Sequence, residues 1–144
     1  MFKKSLIIGL FVSIFMIGCK QKADTPFNIE YEKYRLDNGL VVILHEDKSD
    51  PIVGVAINYH VGSNRETPGR TGFAHLFEHM LFEQSQHLGK EQFAKEIYNA
   101  GGTYNGGTNK DGTFYFEVVP NNALETVLWM EADRMGWLLS TVTQ

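Results

Sequence analysis

Five residues constrain this 144-residue chain more than any others: His75-Leu76-Phe77-Glu78-His79. On a helix turning by about 100° per residue, His79 lies near about +40° from His75, and Glu78 near about −60°. Both imidazoles then project from one face and can grip a single metal ion, with a carboxylate beside the water such an ion would activate. Phe73, Ala74, Leu76, Phe77, Met80 and Leu81 fall on the opposite side, which predicts an apolar back set into a core. Phe82 falls on the polar side, so the helix is expected to end or bend near Glu83. The alternative is an ordinary helix whose two His side chains are solvated or hydrogen-bonded.

The order His-x-x-Glu-His is that of the inverted zincins. The flanks extend the likeness: Arg70-Thr71-Gly72-Phe73-Ala74 before the pentad and Met80-Leu81-Phe82-Glu83 after it. It continues through Gly101-Gly102-Thr103-Tyr104-Asn105-Gly106-Gly107-Thr108 and ends with Ala123-Leu124-Glu125-Thr126-Val127-Leu128-Trp129-Met130-Glu131-Ala132-Asp133-Arg134-Met135. From about Phe27 onward the chain resembles the insulinase/pitrilysin family of metallopeptidases, which includes mitochondrial processing peptidase. That resemblance implies that His75 and His79 ligate Zn2+ and that Glu78 is the general base. It also implies a peptide or unfolded protein as substrate, enclosed between two homologous halves or subunits.

A catalytic zinc needs a third protein ligand. In the family this is a Glu on a later helix, farther along than the 65 residues that follow His79 here. The third ligand is therefore expected beyond Gln144, and the chain is expected to be a truncated N-terminal portion of the peptidase domain, inactive by itself. Glu83, Glu117, Glu125 and Glu131 are the carboxylates that could substitute. Each has a structural reading instead: Glu117 alternates with the aromatics of a strand, Glu125 stands at a capping position, and Glu131 is at salt-bridge spacing from Arg134.

Glycine-rich Tyr104-Asn105-Gly106-Gly107-Thr108 lets another backbone approach closely, so an extended peptide could pair with it as an added strand. The family resemblance implies that use, with Tyr104, Asn105, Gly106, Gly107 and Thr108 as substrate-binding residues. The plainer reading is a hairpin whose glycines satisfy turn geometry.

The start of the chain has a basic Met1-Phe2-Lys3-Lys4, then an apolar run from Leu6 to Ile17, too short to span a bilayer and arranged like a secretory signal. Met16-Ile17-Gly18-Cys19 resembles a bacterial lipobox, which implies a signal over 1–18 and lipidation of Cys19. Residues 19–27 then form a polar tether and 28–144 the folded portion. The resemblance implies a bacterial envelope protein anchored by lipid, with Lys20 favouring the outer membrane. Cys19 is the only cysteine, so no internal disulfide can form. A noncatalytic envelope lipoprotein that uses the same fold for binding is the second reading. Retention of both His residues and Glu78 favours the peptidase.

Loss of Lys3 and Lys4 with the signal leaves 11 of the 13 basic residues against 17 acidic, a net charge of −6 without a basic cluster. Nucleic acid is not expected as a partner. Strands are expected over Ile29–Leu36, Leu40–His45, Ile52–Val61, Thr103–Thr108 and Thr113–Val119, with tight turns at Asp37-Asn38-Gly39 and Asn109-Lys110-Asp111-Gly112. Besides the metal helix, a helix is expected from Lys90 to Asn99, closed by Gly101-Gly102. Another should start at Pro120, with Asn122 and Glu125 at capping-box spacing. Antiparallel hairpins with interspersed helices make the class α+β.

Overall fold

In the computed structural model, residues 28–142 are described. The expected signal over 1–18, Cys19 and the tether over 19–27 lie outside them. The chain divides between Glu46 and Asp47 into two units.

The first unit contains an antiparallel hairpin of β1 (Glu32–Arg35) and β2 (Val41–Leu44), with Lys33 opposite Ile43 and Tyr34 opposite Val42. The turn closes where Asp37-Asn38-Gly39 is expected. Gly39 sits at φ +92°, a conformation that favours a residue without Cβ, and its N–H donates to Leu36 O at 2.8 Å. Asn38 Oδ1 accepts from Leu40 N at 3.0 Å, and Arg35 Nη1 donates to Gly39 O at 2.8 Å.

The second unit is built on three antiparallel strands in the order β3-β5-β4: β3 (Ile52–Tyr59), β4 (Thr103–Thr108) and β5 (Thr113–Pro120). Three helices, α1 (Phe73–Glu83), α2 (Gln92–Asn99) and α3 (Leu124–Trp137), complete it. The α+β class follows directly. Along β5 the strand period separates the two faces: Thr113, Tyr115, Glu117 and Val119 are buried, while Phe114 and Phe116 stay exposed and stack on one another. Asn109 fixes the β4–β5 turn, its Oδ1 accepting from Asp111 N at 2.8 Å and Gly112 N at 2.9 Å.

The core consists of Leu88, Phe93, Ile97, Val119, Val127 and Met130. Phe93 and Ile97 are one turn apart on α2, and Val127 and Met130 lie on one stripe of α3, so each helix offers a single apolar face to the sheet. Full burial of such side chains contributes roughly 1.5–3 kcal/mol each. The α2–β4 connection is tight because Gly102 has no side chain. A Cβ there would stand 2.5 Å from Val119 Cγ1 and 2.7 Å from Val118 O.

Two expectations are corrected. Pro120 does not begin a helix. It closes β5 opposite Ile52, a 3₁₀ turn over Asn121–Ala123 follows, and α3 starts at Leu124. No side chain caps α3, because the 3₁₀ turn occupies the place a capping box of Asn122 and Glu125 would fill.

The second correction concerns α1, which ends at Glu83 as expected but packs on a face rotated from its expected apolar back, sharing Ala74 with it. Its buried residues are Ala74 and Glu78, whereas Phe73, Leu76 and Phe77, placed in its apolar back, remain 50%, 51% and 39% exposed. The helix contacts β4 and β5. Phe82 packs against Tyr115, Tyr104 and Phe93, with ring centroids 5.2, 5.3 and 6.3 Å away. The stripe carrying Glu78 therefore turns towards the sheet, and small Ala74 lets it come close.

Candidate metal centre

Helix α1 is held at its start by a residue outside it. Gly72 takes the N-cap position in the left-handed conformation, at φ +93°, and has no side chain to cap the first N–H groups. Glu66 supplies the acceptors from the preceding loop, Oε2 taking Gly72 N at 2.7 Å and Oε1 taking Ala74 N at 2.8 Å. These backbone bonds, from Ala74 first and Gly72 second, hold its carboxyl below the ordinary Glu range.

Beyond the helix, the loop Gln84–Lys90 is tied to α3 through Asp133, which is 2% exposed. Asp133 accepts from Ser85 Oγ, from the His87 ring at Nδ1 and from His87 N. Burial pushes its carboxyl up, but the hydrogen bonds from Ser85 and His87 outweigh this and hold it low. Under the sheet side of α1, Arg134 is fully buried among aromatic rings, its guanidinium carbon 4.2 Å from the centroid of Tyr115 and 4.6 Å from that of Phe93. It pairs with Glu131 through Nε at 2.8 Å and through Nη2, and its Nη2 also donates to Glu117 at 3.1 Å.

Within this frame the three residues of the pentad come together. Nε2 of His75 and Nε2 of His79 face each other at 3.0 Å, and both side chains are exposed. Two imidazole nitrogens sharing one tetrahedral ion would stand about 3.3 Å apart, so the pair suits a metal after a shift of a few tenths of an ångström. Glu78, between them in sequence, is only 8% exposed, and its Oε2 accepts from Thr108 Oγ1 at 2.5 Å. His75 and Glu78 share a cavity of about 440 Å³ with Gly107, Thr108 and Asn109.

The glycine-rich strand is only partly at this cavity. Gly107 and Thr108 line it, whereas Tyr104 packs under the helices against Phe82, Phe93 and Tyr98. Asn105 is exposed, and its Oδ1 accepts from Gly106 N at 2.8 Å. Gly106 has a packing reason to be glycine: a Cβ would meet Phe82 Cζ at 2.9 Å. Strand β4 pairs only with β5 among the described residues, so its other edge is open.

No third His, Cys, Asp or Glu joins the pair closely enough to hold a metal among the described residues. Glu117 and Glu131 are committed to Arg134, and Glu83 stands 3.9 Å from Lys90 Nζ. Sequence reasoning missed Glu66, which lies six residues before the N-cap Gly72 and outside any local capping pattern. It also missed that the Thr108 hydroxyl serves Glu78. The hairpin pairing of Thr108 with Thr113 hinted at the face but not at the acceptor.

The sequence profile described as Insulinase (Peptidase family M16) matches residues 41–135. The chain belongs to the M16 insulinase family. It is 34% identical over 110 residues to a "Zinc protease PqqE" of Helicobacter pylori, a match covering 76% of this chain and 25% of that protein. It is 31% identical over 100 residues to human insulin-degrading enzyme, covering 69% of this chain and 10% of the relative. Among solved structures, a protease from Helicobacter pylori superposes with a TM-score of 0.76 at 32% identity, over 81% of this chain and 28% of that one. Pitrilysin does so at 0.72 and 30%, over 80% and 12%. The chain thus spans about a quarter of the length of its bacterial relatives and about a tenth of the larger ones. Its described residues share the α+β fold of the matching part of these proteases.

Proposed function

We propose that the chain carries the histidine–glutamate part of a zinc endopeptidase active site and acts in hydrolysis of peptides or unfolded proteins. The observation that carries this reading is the approach of His75 Nε2 and His79 Nε2, with His75 and the buried Glu78 lining one cavity together with Gly107 and Thr108 of the edge strand β4. His75 and His79 would hold zinc, with a Glu outside the described residues as third ligand. Bound zinc supplies Lewis acidity that polarises a carbonyl and lowers the pKa of water towards neutrality. Glu78 takes the proton of the attacking water and passes it to the leaving amine. The open edge of β4 at Gly107 and Thr108 lets an extended substrate pair with the strand, main chain to main chain. A second homologous half or subunit would close the cavity.

Zinc titration of the chain against a chromophoric chelator tests the reading. One weakly held zinc per chain is expected, and His75→Ala or His79→Ala should remove it. Unchanged zinc uptake in both variants would place the metal elsewhere and overturn the assignment.

We also propose that Cys19 is lipidated and anchors the protein in the bacterial envelope, on the outer membrane. More than one acyl chain gives durable anchoring where a single one does not. In a bacterial host, Cys19→Ser should move the protein out of the membrane fraction or block its maturation. Recovery of wild-type protein as soluble, unlipidated material would contradict the anchor.

A further inference from the structure

We infer that Thr108 is the positioning residue of Glu78, donating its hydroxyl proton to one carboxylate oxygen so that the other is left to exchange protons with substrate and water. This rests on the role proposed for Glu78, and it assigns to Thr108 a function separate from binding the peptide.

The proton inventory decides the direction of the bond. An ionised carboxylate can only accept, so at 2.5 Å the proton between Thr108 Oγ1 and Glu78 Oε2 comes from the threonine. Thr108 has one other hydroxyl neighbour, Thr113 Oγ1 at 3.1 Å. That residue is 5% exposed and donates its own proton to Val61 O at 2.9 Å. Thr113 Oγ1 can still accept, but the carboxylate oxygen at 2.5 Å is both nearer and a stronger acceptor than the neutral hydroxyl at 3.1 Å, so Thr108 donates to Glu78. Glu78 Oε1 accepts no hydrogen bond among the described residues, and Glu78 lines the cavity shared with His75.

The threonine is itself held firmly. Thr108 and Thr113 face one another as the last pair of the β4–β5 ladder, so both hydroxyls leave the sheet on the helix side. Just beyond them the turn is locked by Asn109 N donating to Gly112 O at 2.8 Å, and by Ser63 N donating to Asn109 O at 3.2 Å. The carboxylate therefore meets a donor whose position is set by the sheet rather than by a mobile loop. Supporting bonds of this kind hold a reacting group in its productive orientation before substrate arrives.

Carbon-13 spectra of side-chain carboxyls in the full chain, taken at one pH well above the carboxylate range, test the assignment without requiring activity. The Glu78 signal is identified as the one lost in Glu78→Gln. Thr108→Val, which keeps the volume and removes the hydroxyl, should move that signal towards the position of a solvated Glu and broaden it. Thr108→Ser should keep it in place. Thr108→Ala reads the same quantity if the valine variant does not fold. A Glu78 signal unmoved by loss of the hydroxyl, or moved equally by serine and valine, would overturn the inference. Zinc titration of the same samples separates the two levels: absent zinc uptake by the wild type defeats the peptidase reading, while the carboxyl signal still reports on Thr108.

Discussion

Replacing Glu78 with Gln is expected to abolish peptide hydrolysis and leave zinc in place. In a version of the protein extended to the length of its relatives, both imidazoles and the later ligand still coordinate the metal. The glutamine keeps an oxygen that can accept from Thr108, so the helix and its hydrogen bond to β4 persist. What is lost is the ability to take a proton from water, because an amide is not basic at any physiological pH. General acid–base assistance is worth typically ~10²–10⁴-fold, and kcat should fall by that amount with little change in KM. Zinc content by atomic spectroscopy and steady-state cleavage of an extended fluorogenic peptide give the two readouts. Loss of zinc together with activity would instead make Glu78 a ligand.

The largest expected effect on stability comes from Arg134→Met. Arg134 is 1% exposed, and so is Glu131, while Glu117 is completely buried. Methionine restores part of the volume but leaves Glu117 and Glu131 buried without their guanidinium partner. Breaking a buried pair in this way typically costs ~3–5 kcal/mol. Against a domain stability of roughly 5–15 kcal/mol, that loss is enough to populate the unfolded chain at ordinary temperature. Urea denaturation should show the midpoint falling sharply.

The effect should also depend on pH with a definite sign. Burial first, and the neighbouring Glu131 next, push Glu117 from 4.5 up to about 8, against the pull of Arg134. The folded state thus holds a proton that the unfolded chain releases, and stability declines as pH rises from about 4.5 towards 8. Without the opposing pull of the guanidinium Glu117 is pushed higher still, so the decline runs on to higher pH and the variant recovers most at mildly acidic pH. A denaturation midpoint equally depressed at both ends of this range would show that lost packing, rather than uncompensated charge, dominates.

Much of the fold is legible wherever a short stretch carries its own instruction. Asp37-Asn38-Gly39 and Asn109-Lys110-Asp111-Gly112 turn the chain because the Asn38 and Asn109 side chains, and the positive φ of Gly39, act within a few residues. The pentad is equally local: i, i+4 spacing alone brings His75 and His79 to a common point. The face on which α1 packs is not local. Its residues offer two candidate surfaces, and the choice falls to Ala74 and Glu78 because Thr108 can satisfy the carboxylate and Gly106 leaves room for Phe82. Nothing within the helix encodes those two partners. The pairing of Glu131 with Arg134 is local and legible as i, i+3 spacing, whereas the reach of Arg134 to Glu117, 17 residues earlier, is not.

The carboxylates at the two ends of α1 have a consequence for how a metal would be captured. Glu66 holds the first turn, and Asp133, acting on Ser85 and His87, holds the loop that leaves the last. A helix fastened at entry and exit has little backbone freedom left to lose, so only the side-chain torsions of the two imidazoles remain to be ordered when an ion arrives. The backbone entropy that flexible ligands forfeit on binding is here surrendered during folding instead, by groups that never touch the ion. Affinity for metal therefore depends on residues far outside the pentad. Substitutions at Glu66 or Asp133 would weaken capture by restoring motion to ligands whose chemistry is untouched.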